Sequence, residues 1–234
     1  MNRKNKVAIL GNGREVPNII ENLECLPEYE LVAIYDDSPQ HIGSVNCGCE
    51  VKAGLRNALE EEDLSFVWGI GSIDNRFLRL KLLFEMDIPI ERFVTLVHPA
   101  SSVSKFAVIG PGAIIQAGAV ISCNVQIGAN CFISPGCIIG HDTSLGPGNI
   151  LAAGTTLAGK IDIGGANYFG MNASVKQYLK IGHGNILGMS ACLISDLTDG
   201  ETVVGVPANK IKADILPNGF CSWLSHSSSR KNMQ

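Results

Sequence analysis

A histidine with a carboxylate directly behind it, in Ile139-Gly140-His141-Asp142, is the arrangement in this 234-residue chain best suited to moving a proton. The carboxylate can fix the imidazole's tautomer and raise its basicity. Eighteen residues further on stands Gly159, which has no side chain to obstruct its backbone N–H. A fold that brings the two together lets the imidazole take a proton from an amine or hydroxyl while the N–H steadies an oxyanion, which is what acyl transfer requires. The plain alternative is a surface-turn histidine. His183, in Ile181-Gly182-His183-Gly184, has the same local setting without the acid and reads as a solvated turn residue. Cys123, eighteen residues before His141, is the one thiol to weigh as a nucleophile. No recognisable nucleophile motif surrounds His141, so a covalent acyl-enzyme is not expected.

The spacing of eighteen comes from a repeat of six. From Val103 to Leu193 every sixth residue is a large apolar one, 16 positions without a break. Glycine often follows directly, as at 110, 128, 140, 146, 164, 170, 182 and 188. Period six fits neither a helix nor an alternating strand. It fits a solenoid with a triangular coil, one short strand and one turn per hexad, 18 residues per coil. The aliphatic residues fill the prism, and about 5 coils should stack near the spacing of paired strands, roughly 4.8 Å. This is the hexapeptide-repeat left-handed parallel β-helix. His141 and His183 lie seven hexads apart, so they fall on different edges and cannot share a site within one chain.

The first half reads as an α/β unit, a Rossmann-like half-domain. Lys6–Leu10 is a buried strand followed by Gly11-Asn12-Gly13 and a helix from Val16 to Leu26. Strands are expected at Tyr29–Tyr35, which runs into Asp36-Asp37, at Ser65–Ile70 before Gly71, and at Arg92–Val97; Asn75–Glu85 has helical spacing. Ligands of such units lie at the carboxyl ends of the strands. The third glycine of a dinucleotide fingerprint is missing, since Val16 stands there. A mononucleotide moiety on the glycine loop, with Asp36 or Asp37 reaching a ribose or base, fits better than a dinucleotide. Turns and acids serving only the fold are the alternative. The organisation is therefore 1–98 for the α/β domain, 99–212 for the β-helix and 213–234 for a serine-rich tail with a basic end at Arg230-Lys231, expected to be frayed.

Composition narrows the function classes. The net charge is −4 and the pI about 5.7, which argues against a grip on nucleic-acid phosphates. No apolar run approaches the about 18 residues of a membrane helix, and the polar start, Met1 to Lys6, lacks a signal-peptide layout. A cytoplasmic chain with eight reduced cysteines is expected. Cys47 and Cys49 have no further partners for a zinc site, so no metal is expected.

Taken together, the glycine loop, Tyr35-Asp36-Asp37, Gly69-Ile70-Gly71, His98-Pro99-Ala100, the His141-Asp142 pair and Gly205-Val206-Pro207-Ala208 resemble the bacterial sugar O-/N-acyltransferases. That family includes sialic acid O-acetyltransferases and UDP-4-amino-sugar N-acetyltransferases, and the likeness covers about residues 6–212. The resemblance implies His141 as general base, Asp142 as the acid that tunes it, and Gly159 as the amide facing the acyl carbonyl. It implies a homotrimer with acetyl-CoA lying along the prism between subunits, near Gly154, Met171 and Met189. A nucleotide sugar would rest on Gly11, Asn12, Gly13, Arg14, Asp36, Asp37 and Gly71, its sugar reaching His141 of a neighbouring subunit. Three positions depart from the family's habit. The loop reads Gly11-Asn12-Gly13-Arg14-Glu15-Val16 where G-x-G-G-H-G is common, Ser134 replaces an asparagine, and Ile150 replaces a second histidine.

The activity expected from this is acetyl-CoA-dependent N-acetylation of a nucleotide-linked 4-amino-4,6-dideoxy sugar. O-acetylation in the manner of the sialic acid enzymes would use the same base. A non-catalytic β-helix binding protein is the third reading. A zinc hydratase would need three converging histidines, and the prism holds two.

Overall fold

The computed structural model describes residues 4–228, with side chains through Ser227. Met1 and its two successors lie outside it, as do Ser229 and the basic pair Arg230-Lys231. Strand β1 (Asn5–Leu10) leads through the glycine loop into helix α1 (Val16–Glu24), then β2 (Tyr29–Tyr35). A hairpin of β3 (Val45–Asn46) and β4 (Cys49–Ala53), helix α2 (Leu55–Leu59), β5 (Ser65–Trp68) and α3 (Leu78–Glu85) complete the unit. The sheet order is β3-β4-β2-β1-β5, with β4, β2, β1 and β5 parallel and β3 antiparallel at the edge. The ends of β1 and β5 therefore lie side by side, which brings Gly11–Glu15 against Gly69–Gly71.

From Leu96 onward the chain winds a three-sided prism of two-residue strands. Each strand pairs in parallel with the one 18 residues away, as Val120 does with Ile138 and Ile138 with Thr156. The first face runs from Leu96–Val97 to Ile186–Leu187 and closes with an antiparallel hairpin, Glu201–Val204 and Asn209–Ala213. The second face runs from Ser102–Val103 to Cys192–Leu193, and the third from Val108–Ile109 to Lys180–Ile181. The second residue of each strand points inward, so Ile121, Ile139, Leu157 and Val175 join one continuous core with Cys131 and Cys137. Between the third and first faces, Asn149, Asn167 and Asn185 are fully buried and bonded along the axis. The Asn149 Oδ1 accepts the Asn167 N–H at 2.9 Å, and the Asn167 Oδ1 accepts the Asn185 N–H at 2.8 Å. Such a ladder satisfies backbone N–H groups that burial would otherwise leave costly.

The first face is covered. Its outward residues Ile114, Phe132 and Ile150 are buried against Val16, Ile19, Ile20 and Leu23 of α1, each fully buried side chain worth about 1.5–3 kcal/mol. The Asn22 amide donates to the Ile115 carbonyl at 3.3 Å, and the buried Arg79 guanidinium donates to the Gly148 carbonyl at 3.2 Å. Burial pushes the Arg79 guanidinium down to about 10. The α/β unit is thus held on the prism by apolar packing and buried donors.

Two sequence expectations need correction. Arg92–Val97 is not a further strand of the α/β sheet. Ile90–Arg92 is a 3₁₀ turn, Phe93 makes a single bridge to Phe66, and Leu96–Val97 pairs with Ile114–Ile115 as the prism's first rung. The segment past the hexads is not frayed throughout. Phe220–Ser228 forms helix α4, whose Phe220 and Trp223 are buried with Leu80 and Ala166, and Phe77 meets Phe220 edge-on at 5.3 Å.

Candidate active site

Each prism corner must turn within four residues, and at the corner joining the second and third faces one residue per coil takes the left-handed conformation. These are Asn124, Asp142, Lys160 and Tyr178, with φ of 58°, 57°, 60° and 66°. Asn and Asp tolerate this region best among side-chain-bearing residues. The residue before each forms a second column: Cys123, His141, Gly159 and Gln177. The repeat thus fixes His141 and Gly159 as neighbours on adjacent coils.

The side chains show what the pair can do. His141 Nδ1 lies 2.7 Å from Asp142 Oδ2, and the Asn124 amide donates to Asp142 Oδ1 at 3.0 Å. Bonds from His141 and then from Asn124 hold the Asp142 carboxyl below its ordinary range. With Nδ1–H donated to Asp142, the lone pair sits on Nε2. That nitrogen faces Gly159, where a Cβ would stand only 2.8 Å from it. The imidazole is 56% exposed and borders an open cleft of about 290 Å³ lined by His141, Ala158, Gly159, Lys160, Gln177 and Tyr178. Asn124, Lys160 and Tyr178 were not singled out from the sequence, although counting eighteen from Asp142 in either direction finds all three. Cys123 meets this corner through its carbonyl, which accepts the Asp142 N–H at 3.1 Å.

Gly154, Met171 and Met189 do not join this cleft within one chain. They lie at the corner between the first and second faces, at the opposite end of the second-face strands: Gly154 precedes Thr156–Leu157 and Gly159 follows it. Met171 and Met189 are 48% and 71% exposed there.

The strand-end loops form a third group. Gly11 has φ 92°, and a Cβ on Gly13 would lie 2.3 Å from the Gly69 carbonyl, so the two loops stack without side chains between them. Asp36 is tied on both oxygens, accepting the Asn12 N–H at 2.7 Å on one, and the Ser38 N–H at 2.9 Å with His41 Nδ1 at 2.8 Å on the other. Burial raises the Asp36 carboxyl, but these three partners outweigh it and hold it below its ordinary value. Asp37 accepts the Leu55 N–H at the start of α2. Arg14 is exposed, and Gly71 lies beside Glu15 and Phe132.

His183 departs from the expected solvated turn. Its Nδ1 accepts the Gly165 N–H at 2.7 Å, its own N–H donates to Asp199 at 2.7 Å, and Phe220 of α4 approaches its ring at 6.1 Å. It lines a separate groove of about 530 Å³ on the third face. Among the described residues no three His, Cys, Asp or Glu side chains converge as for a metal, and no helix is long and apolar enough to cross a membrane. All eight cysteines are free thiols.

Residues 124–159 match the bacterial transferase hexapeptide family (six repeats). The chain is 32% identical over 111 residues to the UDP-N-acetylbacillosamine N-acetyltransferase of Bacillus subtilis (strain 168), covering 45% of this chain and 49% of that protein. The alignment thus spans about half the relative's length. The acetyltransferase domain of PglB from Neisseria gonorrhoeae FA1090, solved also with acetyl coenzyme A, superimposes with a TM-score of 0.78. In its form without acetyl coenzyme A it is 26% identical and aligns over 89% of this chain and all of that domain. PerB from Caulobacter crescentus, solved in complex with CoA and GDP-perosamine, is 29% identical with a TM-score of 0.78, over 88% of this chain and 97% of that one.

Proposed function

We propose that the protein is an acetyl-CoA-dependent N-acetyltransferase acting on a nucleotide-linked amino sugar. The observation that carries the reading is that His141 Nε2 faces Gly159, close to where a Cβ would stand, beside an open cleft. Asp142 orients the ring, and Nε2 takes a proton from the acceptor amine as its nitrogen attacks the thioester carbonyl. The Gly159 N–H steadies the tetrahedral oxyanion. Collapse expels the CoA thiolate, and the imidazolium returns the proton to it. The absence of a Cβ at 159 leaves room for the acyl group beside the base. The similarity to PglB and PerB, whose structures hold acetyl coenzyme A or CoA, supports the donor, and the GDP-perosamine in PerB supports the acceptor class.

The site is shared between copies in this reading. The strand-end loops lie over the first face, where Gly71 meets Phe132, whereas His141 stands at the corner of the second and third. The second face presents half-exposed Val120 and Ile138, and Met171 and Met189 flank it. A homotrimer packing these faces around an axis, working in the cytoplasm, brings the His141 corner of one copy to the methionine corner and loops of the next. A mass near three times the 24.9 kDa chain by light scattering is expected; a monomer would sink the shared site. For the chemistry, thiol release from acetyl-CoA is measured with UDP-, GDP-, dTDP- and CMP-linked amino sugars and with hydroxyl acceptors. Turnover with an amino sugar, lost in His141→Ala, supports the reading. Turnover with hydroxyls alone makes it an O-acetyltransferase, and none at all makes it a binding protein.

A further inference from the structure

The left-handed positions at the prism's corners carry an exception. All but two hold glycine, Asn, Asp or the small residues Ala and Ser. Lys160 and Tyr178, at φ of 60° and 66°, are the two large side chains among them. A bulky residue in this conformation costs free energy, and such outliers gather at functional sites. Both line the His141 cleft, one and two coils beyond the base, at roughly 4.8 Å per coil.

The Lys160 backbone is fixed, since its N–H donates to the His141 carbonyl at 2.8 Å. Its ammonium stands 5.9 Å from the centre of the Tyr178 ring and makes no ion pair among the described residues. After the bonds from His141 and Asn124, the Lys160 charge is a further cause that holds the Asp142 carboxyl down. Lys160 carries the only fixed charge among the described residues lining the cleft, and the Tyr178 ring is 69% exposed. A base at one end and a cation against an open aromatic face at the other suit a ligand with an anionic group beside a ring.

Both substrates of acyl transfer to a nucleotide sugar carry a diphosphate, and reach separates them. The pantetheine arm keeps the phosphates of CoA several coils from its thioester. In a 4-amino sugar nucleotide, by contrast, a single pyranose ring lies between the amine and the phosphate. With the amine at His141 Nε2, that phosphate falls by the next coil. We propose that Lys160, held against Tyr178, is a specificity-determining residue that binds the sugar-linked phosphate of the acceptor. The inference rests on the acyltransfer reading above, because it presumes the acceptor amine at His141.

Calorimetric titration of wild-type protein, Lys160→Asn and Lys160→Arg tests it without turnover. The probes are UDP-, GDP- and dTDP-linked 4-amino sugars and, separately, acetyl-CoA. Asparagine suits the left-handed backbone, so Lys160→Asn should melt no lower than wild type. Loss of a charge-assisted bond should still weaken its binding of the sugar nucleotide about tenfold or more. Lys160→Arg keeps the charge and should bind close to wild type, and acetyl-CoA should bind all three proteins equally. Unchanged sugar-nucleotide binding in Lys160→Asn overturns the proposal, as does a loss shared with, or confined to, acetyl-CoA. A loss accompanied by a lower melting temperature would mark a structural role and overturn it too. Wild-type protein that binds none of the sugar nucleotides overturns both readings. Selective binding that Lys160→Asn weakens, without acetyl transfer to any amino sugar, overturns only the acyltransfer reading.

Discussion

His141 and His183 begin from one local sequence, Ile-Gly-His, and from the same place in their hexads, yet the structure gives them opposite surroundings. After His141 comes Asp142, whose carboxylate takes the Nδ1 side of the ring and leaves Nε2 against Gly159. After His183 comes Gly184, which offers no partner, and the ring turns its Nδ1 to the Gly165 N–H while Phe220 closes over it. The prism supplies the address of a histidine, and the following residue with whatever packs on that corner decides whether the ring is left open to a cleft or bonded into the corner.

The contrast breaks if the two rings respond alike to removal. His141→Ala should lower kcat by about 10²–10⁴, and near-normal turnover at saturating substrates would discard the proposed base. Gly159→Ala comes next. Its methyl would meet Nε2 at 2.8 Å and push the ring off line, for an expected loss of about a hundredfold with little change in melting temperature. Asp142→Asn tolerates the left-handed backbone but removes the charge, so kcat should fall by less than in Gly159→Ala. A fall as deep as in His141→Ala would give Asp142 a larger part than orienting the ring. At the other corner, His183→Ala should leave kcat within about twofold and cost about 1 kcal/mol of stability through the lost bond to Gly165, read by denaturant titration. A sharp drop in turnover there would end the distinction.

A third histidine sharpens the comparison from the side of the acid. His41 pairs with Asp36 at 2.8 Å, close to the 2.7 Å of His141 with Asp142, but Asp36 also accepts two backbone N–H groups. Its folded carboxyl lies below its ordinary 3.8. It therefore contributes stability at pH values above that range and loses it as the pH falls through the folded value. Asp36→Asn should be less stable than wild type at pH 7, and the gap should close below about pH 4; a gap independent of pH would mean the carboxylate charge is not what holds the loop.

The prism was legible because one inward aliphatic per hexad leaves a period that neither a helix nor an alternating strand makes. Its 18-residue coil placed Gly159 beside His141 by counting. The same counting reaches Asn124, Lys160 and Tyr178, but only coordinates reveal that these corner residues share the left-handed conformation. What stayed hidden depends on distant surfaces. Phe220 and Trp223 sit among serines and find their apolar partners on α3 and at Ala166, far away in the chain. The run at 92–97 looked like a strand and is one only at Leu96–Val97, because its pairing partner is Ile114–Ile115 rather than the α/β sheet. The separation of Gly154, Met171 and Met189 from the cleft follows from which corner each hexad offset reaches.

The parallel pairing at steps of eighteen makes the prism a counting frame. An insertion of six residues between Ile121 and Ile139 would keep every aliphatic inward yet turn all later coils by one face, carrying the His141–Gly159 pair to a different edge. An insertion of a whole coil would restore the edge but lengthen the run of rungs beneath α1 between Ile114 and Ile150. Tolerated length changes should therefore collect after Leu193, where the hexads end.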